Sequence, residues 1–241
     1  MTKKVMFATP TYDYQFCAEY TASMMMTSIH LTMLKIQVRA QFVGGMCFID
    51  LARNKLTQNF LKSDCEDLFF LDADVGWDYQ VIERFLNHKE EIVAGLVPKR
   101  KQPTFYHDNA LTGVISEDGL LESLEAPTAF MRIKRSVFEK LDKQYPEYRD
   151  YYTLDCGPAY WQTGYVQNEH GKRNFLGEDI FFCRQWTAMG GKIWIDPQVA
   201  FSHRGSFDWN GNFIEHAIEK GSIKATKEQS CQVDQVLATG T

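Results

Sequence analysis

Short apolar runs alternate with longer amphipathic stretches through the first hundred residues, as expected of strands joined by crossover helices in a largely parallel sheet. Val5 to Ala8 reads as the first strand. Tyr14 to about Leu34 contains neither Gly nor Pro, and Phe16, Tyr20, Met24 and Leu31 fall along one predicted helical face. Val38, Ala40 and Phe42 mark a second strand, ended by Gly44-Gly45. Ile49, Ala52, Leu56 and Phe60 recur at three and four, predicting a helix over 48–63 with Arg53 and Lys55 away from its buried stripe. The nearly continuous apolar run 67–71 predicts a central strand buried on both faces. A helix over 78–88 and a strand over 92–96 follow.

Beyond Pro98 the alternation breaks up. A turn at Ser116 to Gly119, an apolar segment from Ala129 to Ile133 and a helix from about Ser136 to Leu141 suggest a mixed half. Residues 143–176 are aromatic and weakly periodic, which predicts a loop-rich segment. Helix returns from Glu178 to Met189, with Gly190-Gly191 as its stop. Val199 to His203 reads as an apolar strand, and the last twenty or so residues as a loosely held tail. No repeat or flexible linker divides the chain, so the expected organisation is one α/β domain over 1–206, with halves 1–100 and 101–206, then a C-terminal helix and tail over 207–241.

Composition narrows the classes. With 241 residues, 44% of them apolar, the chain can bury a substantial core, and its charges are mixed in sign. A net charge of −5 gives no general attraction to a phosphate backbone, which argues against a nonspecific nucleic-acid binder. Six cysteines without a CxxC pair fit free thiols in a reducing compartment. No segment reads as a secretion signal or bilayer span, so a soluble cytoplasmic protein is expected.

Three segments could carry chemistry. Asp72-Ala73-Asp74 follows the buried strand directly, at the sheet edge where open α/β folds bind ligands. Two carboxylates at i and i+2 can share a divalent cation, although Asp is also an ordinary turn residue. Glu178 and Asp179 open a helix, where the dipole alone would accommodate them, but an aimed carboxylate is also what a general base requires. His203 ends a strand just before a glycine turn; with two carboxylates it would make a mixed oxygen and nitrogen site suited to manganese. Thr9, Pro10, Thr11 and Tyr12 suit a nucleotide pocket or a plain strand-to-helix turn. Arg53-Asn54 reads as a nucleotide or carboxylate contact or as a solvated helix face, and the basic run Pro98-Lys-Arg-Lys101 as a phosphate contact or a solvated loop. Glycine-rich dinucleotide and P-loop motifs are absent, as are GxSxG and HExxH.

Taken in order, ATPTYD at 8–13, LARN at 51–54, FFLDADVGW at 69–77, VAGLVPKR at 93–100, PTAFMRIKRSVFEKL at 127–141 and the stretch 177–205 resemble the family-two-like GT-A glycosyltransferases of bacteria and large viruses. The resemblance spans about residues 4–206. It implies a GT-A fold with a Rossmann-like nucleotide-binding half, a mostly parallel central sheet flanked by helices, and a mixed acceptor-side half. It also implies a nucleoside diphosphate sugar, expected to be UDP-linked, against Thr9, Pro10, Thr11, Tyr12, Arg53, Asp72 and Ala73. Mn2+ or Mg2+ would be held by Asp72, Asp74 and His203, with Asp179 as base, Glu178 as its neighbour and transfer by inversion. The acceptor would be a hydroxyl of a glycan, a protein or a hydroxymethylated DNA base. Two rivals are a noncatalytic carbohydrate- or nucleotide-sugar-binding protein on the same fold, and a sugar nucleotidyltransferase, which normally carries a Gly-rich phosphate loop that this sequence lacks.

Overall fold

The computed structural model describes residues 2–100, 105–142, 147–149, 156–167, 171–205 and 208–221. In the first half β1 (Lys4–Thr11), α1 (Ala18–Met33), β2 (Gln37–Gly44), α2 (Ile49–Leu61) and β3 (Asp67–Leu71) alternate as the periodicity predicts. They are followed by β4 (Val75–Trp77), α3 (Val81–Asn87) and β5 (Ile92–Ala94). The second half contains β6 (Leu111–Ile115), β7 (Leu121–Ser123), β8 (Phe130–Lys134) and α4 (Arg135–Leu141), then β9 (Glu147–Arg149), β10 (Cys156–Pro158), β11 (Gly164–Gln167) and β12 (Arg173–Leu176). The chain continues through α5 (Glu178–Ala188), β13 (Ile193–Ile195), β14 (Ala200–Arg204), β15 (Asp208–Asn212) and α6 (Phe213–Glu219).

Eight strands form the central sheet in the order β2-β1-β3-β8-β5-β13-β7-β6. Six of them run one way and only β8 and β7 are reversed, so the expected mostly parallel sheet is met, with the mixing confined to the second half. Its two faces carry separate apolar cores. Leu56 and Phe60 of α2, Val137 and Phe138 of α4, and Phe182 and Trp186 of α5 pack on one side. Tyr20 and Leu31 of α1 with Ile82 and Phe85 of α3 pack on the other. β3, lying between two strands, is buried along its whole length, as an apolar run flanked on both faces should be.

Several local expectations need correcting. The first helix begins at Ala18 rather than Tyr14, because Tyr14 takes φ 60° and the Cys17 Sγ accepts from the Tyr20 amide at the helix start. Its buried face is Tyr20, Ser23, Thr27 and Leu31, while Phe16 lies outside the helix. Ser23 and Thr27 are buried because Trp77 of the unanticipated strand β4 needs them. The Ser23 hydroxyl donates to the Trp77 carbonyl (2.7 Å) and accepts from its amide (2.8 Å), and the indole N–H donates to the Thr27 hydroxyl (3.0 Å). Gly76 sits where an added Cβ would lie 2.4 Å from the Ser202 Oγ and 2.8 Å from the Glu19 Cβ, so glycine lets α1, β4 and β14 meet.

Arg53, expected away from the buried stripe of α2, is 4% exposed, and Asn54 and Thr57 are buried beside it. Trp161 explains this: Asn54 bonds both its backbone carbonyl and amide (2.7 and 3.0 Å), and Thr57 accepts from its indole (2.9 Å). The segment read as loop-rich contains two antiparallel pairs, β9 with β10 and β11 with β12, whose short strands lack a long hydrophobic period; residues 143–146, 150–155 and 168–170 lie outside the described residues. Near the C-terminus β15 pairs with β14, and Phe213 and Ala217 of α6 enter the core. The tail beyond residue 221 lies outside the described residues. Among the described residues no helix is long and apolar enough to cross a membrane.

Candidate active site

β1 and β3 are parallel neighbours, so their carboxyl ends open on the same edge. A cleft of 470 Å3 lies there, and Pro10, Thr11, Tyr12, Arg53, Asp72 and Asp74 are among its lining residues. Ala73 also lines it, and its carbonyl accepts from the Cys17 amide (3.0 Å), which pins the acidic turn against the start of α1. Thr9 stands one position deeper in β1, fully buried, with its hydroxyl 2.6 Å from that of Tyr20. Phe16, Cys17 and Ile49 also line the cleft, three residues the sequence reading did not assign to it. A larger cleft of 860 Å3 beside Arg84 and His88 holds none of the anticipated site residues.

Arg53 joins the acidic segments. Its Nε donates to Glu178 Oε1 (3.0 Å) and its Nη2 to Asp72 Oδ1 (3.3 Å), bringing residues 19 and 125 positions away onto one guanidinium. The arginine lies over the rings of Phe70 and Trp161 (5.2 and 6.0 Å), and its Nη1 is buried with no hydrogen-bond partner. Burial works against its charge, but Asp72, then Glu178 and Asp179, outweigh that and hold its pKa above the usual arginine value. Asp179 is pushed the other way. Burial, and next the charge of Glu178, lift its carboxyl above the ordinary aspartate range, with Arg53 opposing.

His203 reaches the same corner through backbone pairing. β14 runs antiparallel to β4, setting His203 opposite Val75, and the Arg204 amide donates to the Asp74 carbonyl (2.7 Å). The His203 Nδ1 donates to the Pro98 carbonyl (2.7 Å), and Nε2 stands 3.6 Å from Asp74 Oδ1. Burial first, and Arg100 as well, hold the imidazole pKa below the ordinary histidine value, against the Pro98 bond. A neutral ring bonded in this way presents a lone pair at Nε2, the tautomer that metal-binding histidines adopt when a carbonyl orients the other nitrogen. Together with Asp72 and Asp74 it offers two carboxylates and one imidazole, donor types that a divalent transition ion such as manganese accepts.

The carboxylates are nevertheless engaged with arginines: Asp72 with Arg53, and Asp74 Oδ2 with Arg100. Among the described residues no three His, Cys, Asp or Glu side chains are grouped as a metal site. Of the basic run 98–101, read from sequence as a phosphate contact or a solvated loop, Arg100 pairs with Asp74, and Lys101 lies outside the described residues.

A crystal structure of A197 from STIV is similar to this chain at a TM-score of 0.52 and 15% identity, over 85% of this chain and 87% of that one. The two chains share a fold. Two other solved structures are more distant than A197. TarS 1–349 from S. aureus in complex with UDP-GlcNAc has a TM-score of 0.44 at 11% identity, over 81% of this chain and 56% of that one. A glycosyltransferase involved in the glycosylation of the major capsid of PBCV-1 has a TM-score of 0.33 at 10% identity, over 57% of this chain and 62% of that one. No protein-family model matches this chain, and none of the curated proteins does. Arg53 thus links the acidic turn after β3, which lines the cleft, to Glu178 at the start of α5.

Proposed function

We propose that this chain is a glycosyltransferase that moves a sugar from a nucleoside diphosphate sugar, UDP-linked by preference, to an acceptor hydroxyl with inversion. The observation that carries the reading is the convergence of Asp72, Glu178 and Asp179 around one buried arginine, with His203 beside Asp74, at the carboxyl edge of β1 and β3. The nucleotide lies along Pro10, Thr11 and Tyr12. Asp72, Asp74 and His203 would hold Mn2+ or Mg2+, which would supply positive charge to offset that growing on the departing diphosphate.

The chain's own residues do the remaining work. Asp179 accepts the acceptor's proton as the oxygen attacks the anomeric carbon from the face opposite the diphosphate. A carboxylate lifted by burial and by Glu178 is a better base near neutral pH than a solvated one. Glu178 holds Arg53 in place, and the guanidinium's positive charge offsets the repulsion among the neighbouring carboxylates.

Nucleotide sugars with and without Mn2+ are screened first by thermal shift, which reports any ligand bound to the folded state. With the donor found, Asp179→Asn is expected to bind it almost as the native chain does while transfer falls by a factor of about a thousand or more, the scale of losing a general base. Undiminished turnover in that variant would refute the assignment.

A further inference from the structure

Two stripes run along α1. Tyr20, Ser23, Thr27 and Leu31 form the buried one, which meets the sheet and Trp77. Ala18, Ala22, Met25, Ile29 and Thr32 form the other, spaced four, three, four and three, and all five are exposed, as are Met26 and Met33 beside them. Met25, Ile29 and Met33 are 63%, 56% and 77% exposed. That spacing is the seam by which one helix packs along another, and a helix apolar on both sides belongs between two partners.

The outer face carries no charge. Charged residues make up 24% of the chain, yet α1 contains no lysine or arginine and a single acidic residue, Glu19. Glu19 turns aside to Arg204 (3.5 Å) and His30 to Glu83 (2.7 Å). Thr21 and Thr32 donate their hydroxyls to the Cys17 and Ser28 carbonyls (3.0 and 2.7 Å), which satisfies those polar atoms inside the helix. A second copy can therefore approach this face without local repulsion, although each chain carries −5 overall. Anionic lipid headgroups find no basic side chain on α1 to attract them.

Size also varies along the seam. Its start is small, with Ala18, Thr21 and Ala22, and its end is large, with Met33 and Leu34. Ala22 also lines a groove of 640 Å3 whose walls include Gly76, Trp77 and Phe201. On the other side, Ser28 and Thr32 line a groove of 690 Å3 against β2, with Ile36 and Val38. Two copies related by a twofold axis across the helix set large against small. Met33 of the second copy then meets Ala22 and its groove, and Met25 meets the region of Ile29. A parallel pairing would instead set Met33 against Met33 and leave the two alanines facing a gap.

We propose that the chain forms an isologous dimer through antiparallel packing of α1 on α1 of a second copy. A helix seam alone is smaller than the roughly 800 Å2 per partner of a standard interface, and the two flanking grooves enlarge it only in part. The dimer is therefore a weak one, with a dissociation constant on the order of 10 μM.

Sedimentation equilibrium on the full chain tests the assembly. Ile29→Glu and Met25→Lys are each expected to weaken the dimer at least about a hundredfold, because a charge would be buried in an apolar seam. Both positions are exposed in the single chain, so circular dichroism melts below the dissociation constant should match those of the native chain. The register is read by placing Ala22→Cys and Met33→Cys in one chain, oxidising mildly and identifying the linked peptides by mass spectrometry. Along one helix these positions lie about 16 Å apart, too far for a disulfide, so a link between 22 and 33 joins two copies. That link is the expected product. A native chain that stays monomeric at about ten times the expected dissociation constant overturns the proposal. So does a dimer undiminished in both charge variants, which would place the interface elsewhere, and links joining 22 to 22 and 33 to 33 would overturn the antiparallel arrangement.

Discussion

At Arg53 burial and charge pull in opposite directions, and the three acidic neighbours decide the outcome. Removing the guanidinium leaves Asp72, Glu178 and Asp179 without their shared counter-charge, which is costly when all are ionised. Arg53→Met is accordingly expected to lose about 3 kcal/mol of stability at pH 7, the scale of breaking a buried pair. The loss should shrink at pH 5. Asp179 is already lifted by burial and by Glu178, and without Arg53 it takes up a proton more readily still, relieving the repulsion. Urea unfolding at the two pH values checks this, and an equal loss at both would mean that charge is not the cause. The sequence named each of these side chains as a candidate because their types and local settings are readable. It could not show that Arg53 points inward, since an arginine beside an apolar helical stripe is ordinarily solvated.

Among the elements, α2 shows how a polar side chain becomes a structural joint. Asn54 reads as part of a hydrophilic helix face, yet it closes both backbone groups of Trp161, 107 residues later in the chain. Asn54→Ala leaves a buried amide and a buried carbonyl without partners, so a loss of about 2–3 kcal/mol is expected. Thr57→Val frees only the Trp161 indole N–H and should cost less. Chemical denaturation of the two variants gives the comparison; a larger effect at Thr57 would contradict the account. The same logic explains α1, where Ser23 and Thr27 are buried to serve Trp77. Hydrophobic periodicity located the helices and the central strand because burial repeats with helical or strand geometry. It passed over β4 and the two hairpins because three- or four-residue strands contain too few positions to show a period.

On the scale of the molecule, β8 of the second half is inserted between β3 and β5 of the first and opposes both, so the two halves share one sheet. A second tie crosses the other side of the sheet: Asp196, fully buried just after β13, bonds Arg84 and His88 at the end of α3 (2.5 and 3.0 Å). Burial alone would raise its carboxyl, but the bonds from His88 and Arg84 prevail and set it below the ordinary aspartate value. A depressed carboxylate contributes stability above the unfolded pKa of about 3.9 and loses it as pH falls through the lower folded value. Asp196→Asn is therefore expected to cost roughly 2 kcal/mol at pH 7, with the two stability curves converging below about pH 4. Curves that stay parallel in urea titrations down to pH 3 would exclude this linkage. By itself the sequence determined the α/β class, the order of the main helices and strands in the first half, and the candidate acidic, histidine and arginine side chains, because these follow from local periodicity and from the chemistry of residue types. Only the tertiary structure decided that Arg53 clasps Glu178 and Asp72, that β4 carries Asp74 to His203, and that Arg100 turns back onto the same carboxylate. Those contacts join segments up to 129 residues apart, and no short-range pattern encodes which distant side chain will fill a buried donor's remaining bond.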